Sequence, residues 1–132
     1  MFRFTKQERL CSRKAIEILY TKGKAKNIFP FRVIVIKSDP EKHLNKEKYP
    51  ARFMISVPKK RIKLAVKRNR VKRLVREAWR LNKHKLYAEL LKKNAHCDVM
   101  LVYITSDLPE LKGVENKMPA VFNFIVGEIT RD

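Results

Sequence analysis

The lysines and arginines between Val57 and Arg80 are the candidate functional residues of this chain, because of their number and spacing. From Pro58 to Arg76 the sequence holds ten lysines or arginines and no aspartate or glutamate. Exposed helices usually mix the two signs at four-residue spacing, because like charges at that spacing destabilise the helix. This one-sided charge predicts a surface that binds a polyanion, and the planar guanidinium of arginine favours phosphate.

From about Lys67 the same stretch has the periodicity of an amphipathic helix. Apolar residues recur at helical spacing and predict a stripe that packs on a core: Val71, Leu74, Val75, Ala78 and Leu81. At about 100° per residue, an amide and four cations fall on the opposite side: Asn69, Lys72, Arg73, Arg76 and Arg80. The helix is therefore predicted to bury one side and to offer the other to nucleic acid.

No catalytic constellation accompanies these cations. A protein-held magnesium site needs clustered carboxylates, but Glu77, Glu89 and Asp98 fall on different predicted elements. The cysteines and histidines lack the spacing of a zinc site: Cys11, Cys97, His43, His84 and His96. The residues alone thus predict a binding protein with no catalytic or metal-ligating side chains.

Length and composition predict one domain, residues 1–132, with a real core. Hydrophobic residues make up 45% of the chain, which excludes a disordered basic tail. Thirty-two basic and thirteen acidic residues give a net charge of +19, as in nucleic-acid binders. No run approaches the ~20 apolar residues of a membrane span, and two unclustered thiols suit the cytoplasm.

The N-terminal half is predicted to hold one helix, then one or more strands, and then a further strand. Residues 7–20 form a helix that Gly23 ends, and residues 28–37 form a strand that either begins after Pro30 or lies at a sheet edge. A polar loop over 38–50 leads to a strand over 51–57, which we expect to pair antiparallel with the strand before it.

The C-terminal half is predicted to alternate helix and strand. The basic helix continues through 84–93, with Asn82 or Asn94 as its end and these leucines inward: Leu86, Leu90 and Leu91. A strand buried on both faces spans 97–104, a loop spans 106–117, and a helix runs from Met118 to Ile129 with Pro119 in its first turn. This order predicts an α+β fold, a two-layer sandwich of a small mixed four-stranded sheet and three main helices.

The basic stretch resembles the protein component of bacterial ribonuclease P. The resemblance is carried by ISVPKK at 55–60 and AVKRNRVKRLVRE at 65–77, where the family's arginine-asparagine-arginine signature falls on Arg68, Asn69 and Arg70. It extends to Arg9–Leu10 through Gly23. The spacer over 61–64 lacks the glycine that is common in the family.

The resemblance implies an accessory subunit of an endoribonuclease, a hydrolase that removes the 5′ leader of precursor tRNA. Catalysis then resides in a partner RNA that holds Mg²⁺, and the protein is a cytoplasmic monomer in a 1:1 complex with that RNA. The family's contacts to the catalytic RNA map onto Lys59, Lys60, Lys67, Arg68, Asn69, Arg70, Lys72, Arg73 and Arg76. Its leader cleft maps onto Ile16, Tyr20, Arg32 and Ile34.

The resemblance also implies a fold like domain 2 of ribosomal protein S5, with a left-handed βαβ crossover around the basic helix. Two other functions stay open at this point. A non-catalytic binder of structured RNA, such as a ribosomal protein, needs only the basic helix. A DNA-reading helix usually offers more amide and hydroxyl side chains than Asn69, so that function is disfavoured.

Overall fold

The computed structural model describes residues 5–43 and 48–130, which form four strands and three main helices. Short 3-10 turns at Lys6–Glu8 and Pro40–Lys42 precede the first helix and the third strand. In chain order the main elements are α1 (Arg13–Lys22), β1 (Lys24–Ile28), β2 (Phe31–Lys37), β3 (Ala51–Ser56), α2 (Ala65–Lys92), β4 (Cys97–Tyr103) and α3 (Leu111–Ile129).

The four strands form one mixed sheet in the order β1-β2-β4-β3. β1 and β2 form an antiparallel hairpin, β2 pairs antiparallel with β4, and β3 pairs parallel with β4. The predicted antiparallel pairing of the strand over 51–57 with the preceding strand is wrong. β4 lies between them, because a strand that is apolar on both faces takes an interior position.

The parallel pair explains why the basic helix is long. Parallel neighbours cannot be joined by a tight turn and need a crossover, which α2 supplies between β3 and β4. The predicted α+β class, mixed four-stranded sheet and three main helices are confirmed. The left hand of the crossover stays a prediction.

The two faces of the sheet carry different layers. Phe31, Val33 and Val35 of β2 face the main core, which α2 and α3 cover. Ile34 faces the other way and packs with Leu19 of α1 in a smaller cluster. The sheet with α2 and α3 thus makes the two predicted layers, and α1 adds a partial layer on the opposite face.

Aromatic packing fixes α2 on the sheet. Trp79 is fully buried and stacks on Phe53 of β3, with ring centroids 4.1 Å apart and ring planes 3° from parallel. The ring of Phe122 from α3 also packs against the indole in a T-shaped arrangement, with ring centroids 5.3 Å apart. One side chain of α2 therefore contacts both the sheet and α3, which sets the rotation of the basic helix.

The first helix begins later than predicted, at Arg13 rather than near residue 7. Ser12 caps it by accepting a hydrogen bond from the N–H of Ala15 at 3.2 Å. Between the 3-10 turn at Lys6–Glu8 and this cap the chain turns extended at Arg9, and the Leu10 N–H donates to the Phe53 carbonyl at 3.0 Å. A long-range partner outside the local sequence therefore overrides the helical spacing of residues 7–12.

Gly23 ends α1 as predicted, for a reason of space. A Cβ at this position would lie 2.4 Å from the Leu19 carbonyl oxygen and 2.8 Å from the Ile34 side chain. The helix end thus lies directly on the sheet, where only glycine fits.

The last helix is longer than predicted. α3 starts at Leu111, so part of the expected loop over 106–117 is helical and Pro119 lies inside the helix rather than in its first turn. Proline inside a helix removes one backbone hydrogen bond. Burial of Val114 one turn before Met118 extends the apolar stripe and offsets that loss.

The basic helix is a single element that ends near the predicted asparagine. Asn82 does not end it, because its side-chain amide donates to the Ala78 carbonyl at 2.8 Å within the helix. Asn94 lies just beyond its end with φ of 51°, a conformation that asparagine tolerates. Leu86 and Leu90 point inward as predicted, whereas Leu91 is 38% exposed and the prediction for it is wrong.

A buried polar cluster ties the N-terminal segment to α2. The Glu8 carboxylate is fully buried, and the Lys83 ammonium lies 2.7 Å from each of its oxygens. The Tyr87 hydroxyl donates to Glu8 at 2.5 Å, and the Thr5 N–H donates to the same carboxylate at 2.9 Å. Burial, and then the Glu8 charge, raise the pKa of Tyr87, so its proton stays available for this bond.

Replacing Lys83 with methionine is expected to destabilise the protein strongly. The variant keeps most of the length of the side chain but leaves the Glu8 carboxylate buried without its cation, which costs about 3–5 kcal/mol. Urea unfolding of Lys83→Met measures the loss. The exposed Lys85→Met is the matched control, expected to stay within about 0.5 kcal/mol of the parent. Equal stability of the two variants would contradict a stabilising role for the cluster.

Candidate nucleic-acid interface

The basic helix has the two sides that its sequence predicts. Val71, Val75 and Ala78 are fully buried, and Leu74 and Leu81 are half-buried beside them. Because this stripe is held in the core, the opposite side of α2 is held toward solvent. The orientation of its cations is thus a consequence of packing.

The solvent side of α2 forms one wall of an open recess. The side chains that line it are Arg9, Asn69, Lys72, Arg73, Arg76, Glu77 and Arg80. All five residues predicted for this side of the helix are among them, so the prediction that they share one surface is confirmed. Their contact with RNA stays a prediction.

The recess is strongly cationic although it contains a carboxylate. Glu77 is bound by Arg80, whose Nε donates to it at 3.0 Å. This hydrogen bond lowers the pKa of Glu77 and raises that of Arg80, so both stay ionised and offset each other. Partial burial, and then the charge of Arg9, lower the pKa of Arg76. The remaining cations therefore repel one another, and a bound anion would relieve that repulsion.

Arg68 belongs to the loop before α2 as much as to the helix. It is half-buried, and its Nη1 donates to the carbonyls of Ile62 at 3.0 Å and Lys63 at 2.6 Å. These bonds tie the loop to the first turn of α2. At least one nitrogen of the predicted RNA ligand Arg68 thus serves the protein's own backbone.

The rest of this loop is anchored without the expected glycine. The Pro58 carbonyl accepts hydrogen bonds from the N–H groups of Arg61 at 3.0 Å and Ile62 at 3.2 Å. The Ile62 side chain is 5% exposed and packs in the main core. With the loop fixed in this way, the other predicted RNA ligands lie on the surface: Lys59, Lys60, Lys67 and Arg70 are all exposed.

The residues predicted for a leader cleft lie on the other face of the sheet, around α1. Tyr20 is 58% exposed, and Ile16 lies one turn earlier, half-buried against the smaller cluster. Arg32 is exposed on β2, where its Nη1 donates to the Asn27 side chain at 3.2 Å. Ile34 is only 5% exposed beneath α1. The structure thus presents Tyr20 and Arg32 to a ligand and leaves little of Ile34 to contact.

Arg9 is a residue of this surface that the sequence analysis did not assign to it. It precedes α1 by four residues, yet it lines the recess with side chains of α2. A bridge between Arg9 and Phe53 of β3 carries it there. The one signal in the sequence was its place at the start of the resembling segment Arg9–Leu10.

Residues 5–43 and 48–130 contain neither a cluster of metal ligands nor a membrane-spanning helix. No three His, Cys, Asp or Glu side chains in these ranges come together as a set of metal ligands. No helix in the same ranges is both long and apolar enough to cross a bilayer.

Comparison with known sequences gives one consistent family. A sequence model of the family described as Ribonuclease P matches residues 4–115. A Ribonuclease P protein component from Porphyromonas gingivalis is 38% identical over 130 residues, covering 97% of this chain and 90% of that protein. Another from Vibrio campbellii is 49% identical over 55 residues, which cover 39% of this chain and 46% of that protein.

Solved structures of bacterial proteins share the fold. The RNase P protein of Staphylococcus aureus superposes with a TM-score of 0.66 at 22% identity, covering 94% of this chain and 98% of that one. The RNase P protein of Thermotoga maritima gives 0.66 at 23% identity, covering 89% and 97%. By its sequence match over most of its length, this chain belongs to the family of ribonuclease P protein components.

Proposed function

We propose that this chain binds the catalytic RNA of ribonuclease P through the cationic side of α2 and the 5′ leader of precursor tRNA through the cleft beside α1. In this role it supports the Mg²⁺-dependent endonucleolytic removal of the leader in the cytoplasm. The observation that carries the proposal is the recess, where α2 gathers Lys72, Arg73 and Arg76 on one solvent-facing surface.

The protein's part in the reaction is electrostatic. Cations that contact phosphates release counterions and lower the repulsion between two RNAs brought together. The catalytic RNA and its substrate then need less Mg²⁺ for screening, and the ions that remain bind where the RNA places them. Hydrolysis is assigned to the RNA subunit with its Mg²⁺, and the side chains of this chain bind and position.

The leader side of the proposal rests on the exposed ring of Tyr20 and the guanidinium of Arg32. An aromatic ring stacks on any base, and a nearby cation tracks the backbone phosphates. This combination suits a single strand whose sequence varies between precursors. With one proposed leader surface and one α2 surface in the part of the chain that the structure describes, the proposed complex has one protein for one catalytic RNA and one precursor.

A cleavage assay at low Mg²⁺ tests the function. The substrates are two precursor tRNAs with long and very short 5′ leaders, each incubated with the cognate ribonuclease P RNA with and without this protein. We expect the protein to lower the Mg²⁺ concentration needed for cleavage of both, because it replaces screening ions. We expect a larger gain for the long leader, since only that strand reaches the cleft.

Two outcomes would contradict the proposal. Cleavage by the protein without RNA, lost when a carboxylate is changed, would assign the chemistry to this chain. Unchanged cleavage at every Mg²⁺ concentration, together with co-purification with ribosomal subunits, would favour a ribosomal RNA-binding role. An equal gain for both leaders would contradict the proposed leader contact. The proposed contact with the catalytic RNA would still stand.

Arg70 and Arg68 are expected to differ although they flank the same asparagine. Arg70→Ala removes an exposed cation, so it should lower the salt slope of RNA binding by about one and leave unfolding unchanged. Arg68→Ala also breaks two hydrogen bonds to loop carbonyls, so it should lower the free energy of unfolding by about 1–2 kcal/mol. Titrations of the cognate RNA at several salt concentrations and urea unfolding separate the two effects. An unchanged slope for Arg70→Ala, or unchanged stability for Arg68→Ala, would count against the role given to that residue.

A further inference from the structure

We propose that the recess between the N-terminal segment and α2 is a binding site for a single backbone phosphate of RNA, with Arg9 and Arg76 as its two walls. This inference rests on the proposed function and deepens it. It assigns an RNA-binding role to Arg9, which lies outside the basic helix. It also gives the buried Glu8 cluster the role of holding Arg9 at the recess.

The backbone of Arg9 is fixed on both sides. The preceding residue, Glu8, is buried and held by the Lys83 ammonium at 2.7 Å. The following residue, Leu10, is buried, and its N–H donates to the Phe53 carbonyl at 3.0 Å. Arg9 itself is exposed between these two anchors. Its side chain therefore starts from a fixed point at the rim of the recess, and ordering it costs less than ordering an arginine on a free N-terminal arm.

The charges of the recess suit an anion. Five cations and one carboxylate line it, and the carboxylate, Glu77, is engaged by Arg80. Arg9 and Arg76 line the same recess, where burial, and then the charge of Arg9, lower the pKa of the Arg76 guanidinium. The protein uses two buried anchors to hold this arrangement. An anion between the two guanidiniums turns the repulsion into two attractions.

A phosphate suits this arrangement of side chains. Guanidinium groups bind phosphate oxygens through paired hydrogen bonds, and two arginines can approach one phosphate from different sides. The amide of Asn69 adds a neutral donor on the same wall. The chain thus combines two segments that are 67 residues apart, Arg9 and Arg76, into one contact that the basic helix could not make alone.

Equilibrium binding of the cognate ribonuclease P RNA, at several salt concentrations, tests the site. Arg9→Gln removes the charge from an exposed side chain and leaves both anchors in place. We expect it to weaken binding about tenfold and to lower the salt slope by about one. Lys117→Gln, which removes an exposed cation from α3, is the control and should change neither.

A double-mutant cycle asks whether Arg9 and Arg76 share one ligand. If they do, Arg9→Gln combined with Arg76→Gln weakens binding by clearly less than the product of the two single effects. The pair Arg9→Gln and Arg70→Gln should multiply, because Arg70 does not line the recess. Urea unfolding of each variant shows that the fold is retained.

The outcomes separate this inference from the proposed function. If Arg9→Gln binds like Lys117→Gln while Arg70→Gln still weakens binding, the phosphate site at Arg9 is wrong and the proposed function stands. If the effects of Arg9→Gln and Arg76→Gln multiply, the two residues do not share a phosphate and the inference fails. If the unaltered protein does not bind the RNA, the proposed function itself fails.

Discussion

Burial of one side of α2 is the constraint on which the rest of this structure depends. Trp79 stacks on Phe53 of the sheet and forms a T-shaped pair with Phe122 from α3, so the helix cannot rotate without breaking the core. Aromatic pairs of this kind add about 0.5–1.5 kcal/mol each beyond the burial of their area. That packing sets the direction of the side chains on the opposite side of the helix, including Arg73 and Arg76.

This constraint explains how the protein tolerates so much charge of one sign. Cations spaced three and four residues apart destabilise an isolated helix by about 0.2–0.5 kcal/mol for each pair. Burial of an apolar stripe along most of α2 outweighs that cost. A helix free in solution buries no such stripe and would have nothing to offset the repulsion. Burial also holds a further cation in place. The buried pair of Glu8 and Lys83 holds the N-terminal segment so that Arg9 lies beside the cations of α2.

The sequence predicted the features that local spacing sets. Its predictions failed where contacts between distant segments decide the structure. The sides of α2 followed from the spacing of residues such as Val75, and the interior strand β4 followed from its apolar run. The pairing of β3 with β4 did not follow from local spacing, because that spacing does not determine which strand lies in the middle of the sheet. The local pattern predicts a helix at Arg9, whereas its pairing with Phe53 holds it outside α1, and nothing in that pattern marks Glu8 as buried. The sequence places Pro119 at the start of a helix, whereas burial of Val114 before it and Val121 after it holds it inside α3.

The central claim is that the outward side of α2, and not α3, meets RNA. Val66 is 81% exposed in the first turn of α2 and carries no charge, so Val66→Cys adds an attachment point without removing a cation. In a Cys11→Ser background, a chelated iron at this position generates hydroxyl radicals that cut nearby RNA, and Ala120→Cys on the exposed side of α3 is the matched position. The account predicts a few strong cuts in the cognate ribonuclease P RNA from position 66 and none from position 120. Cuts from position 120 alone would contradict it.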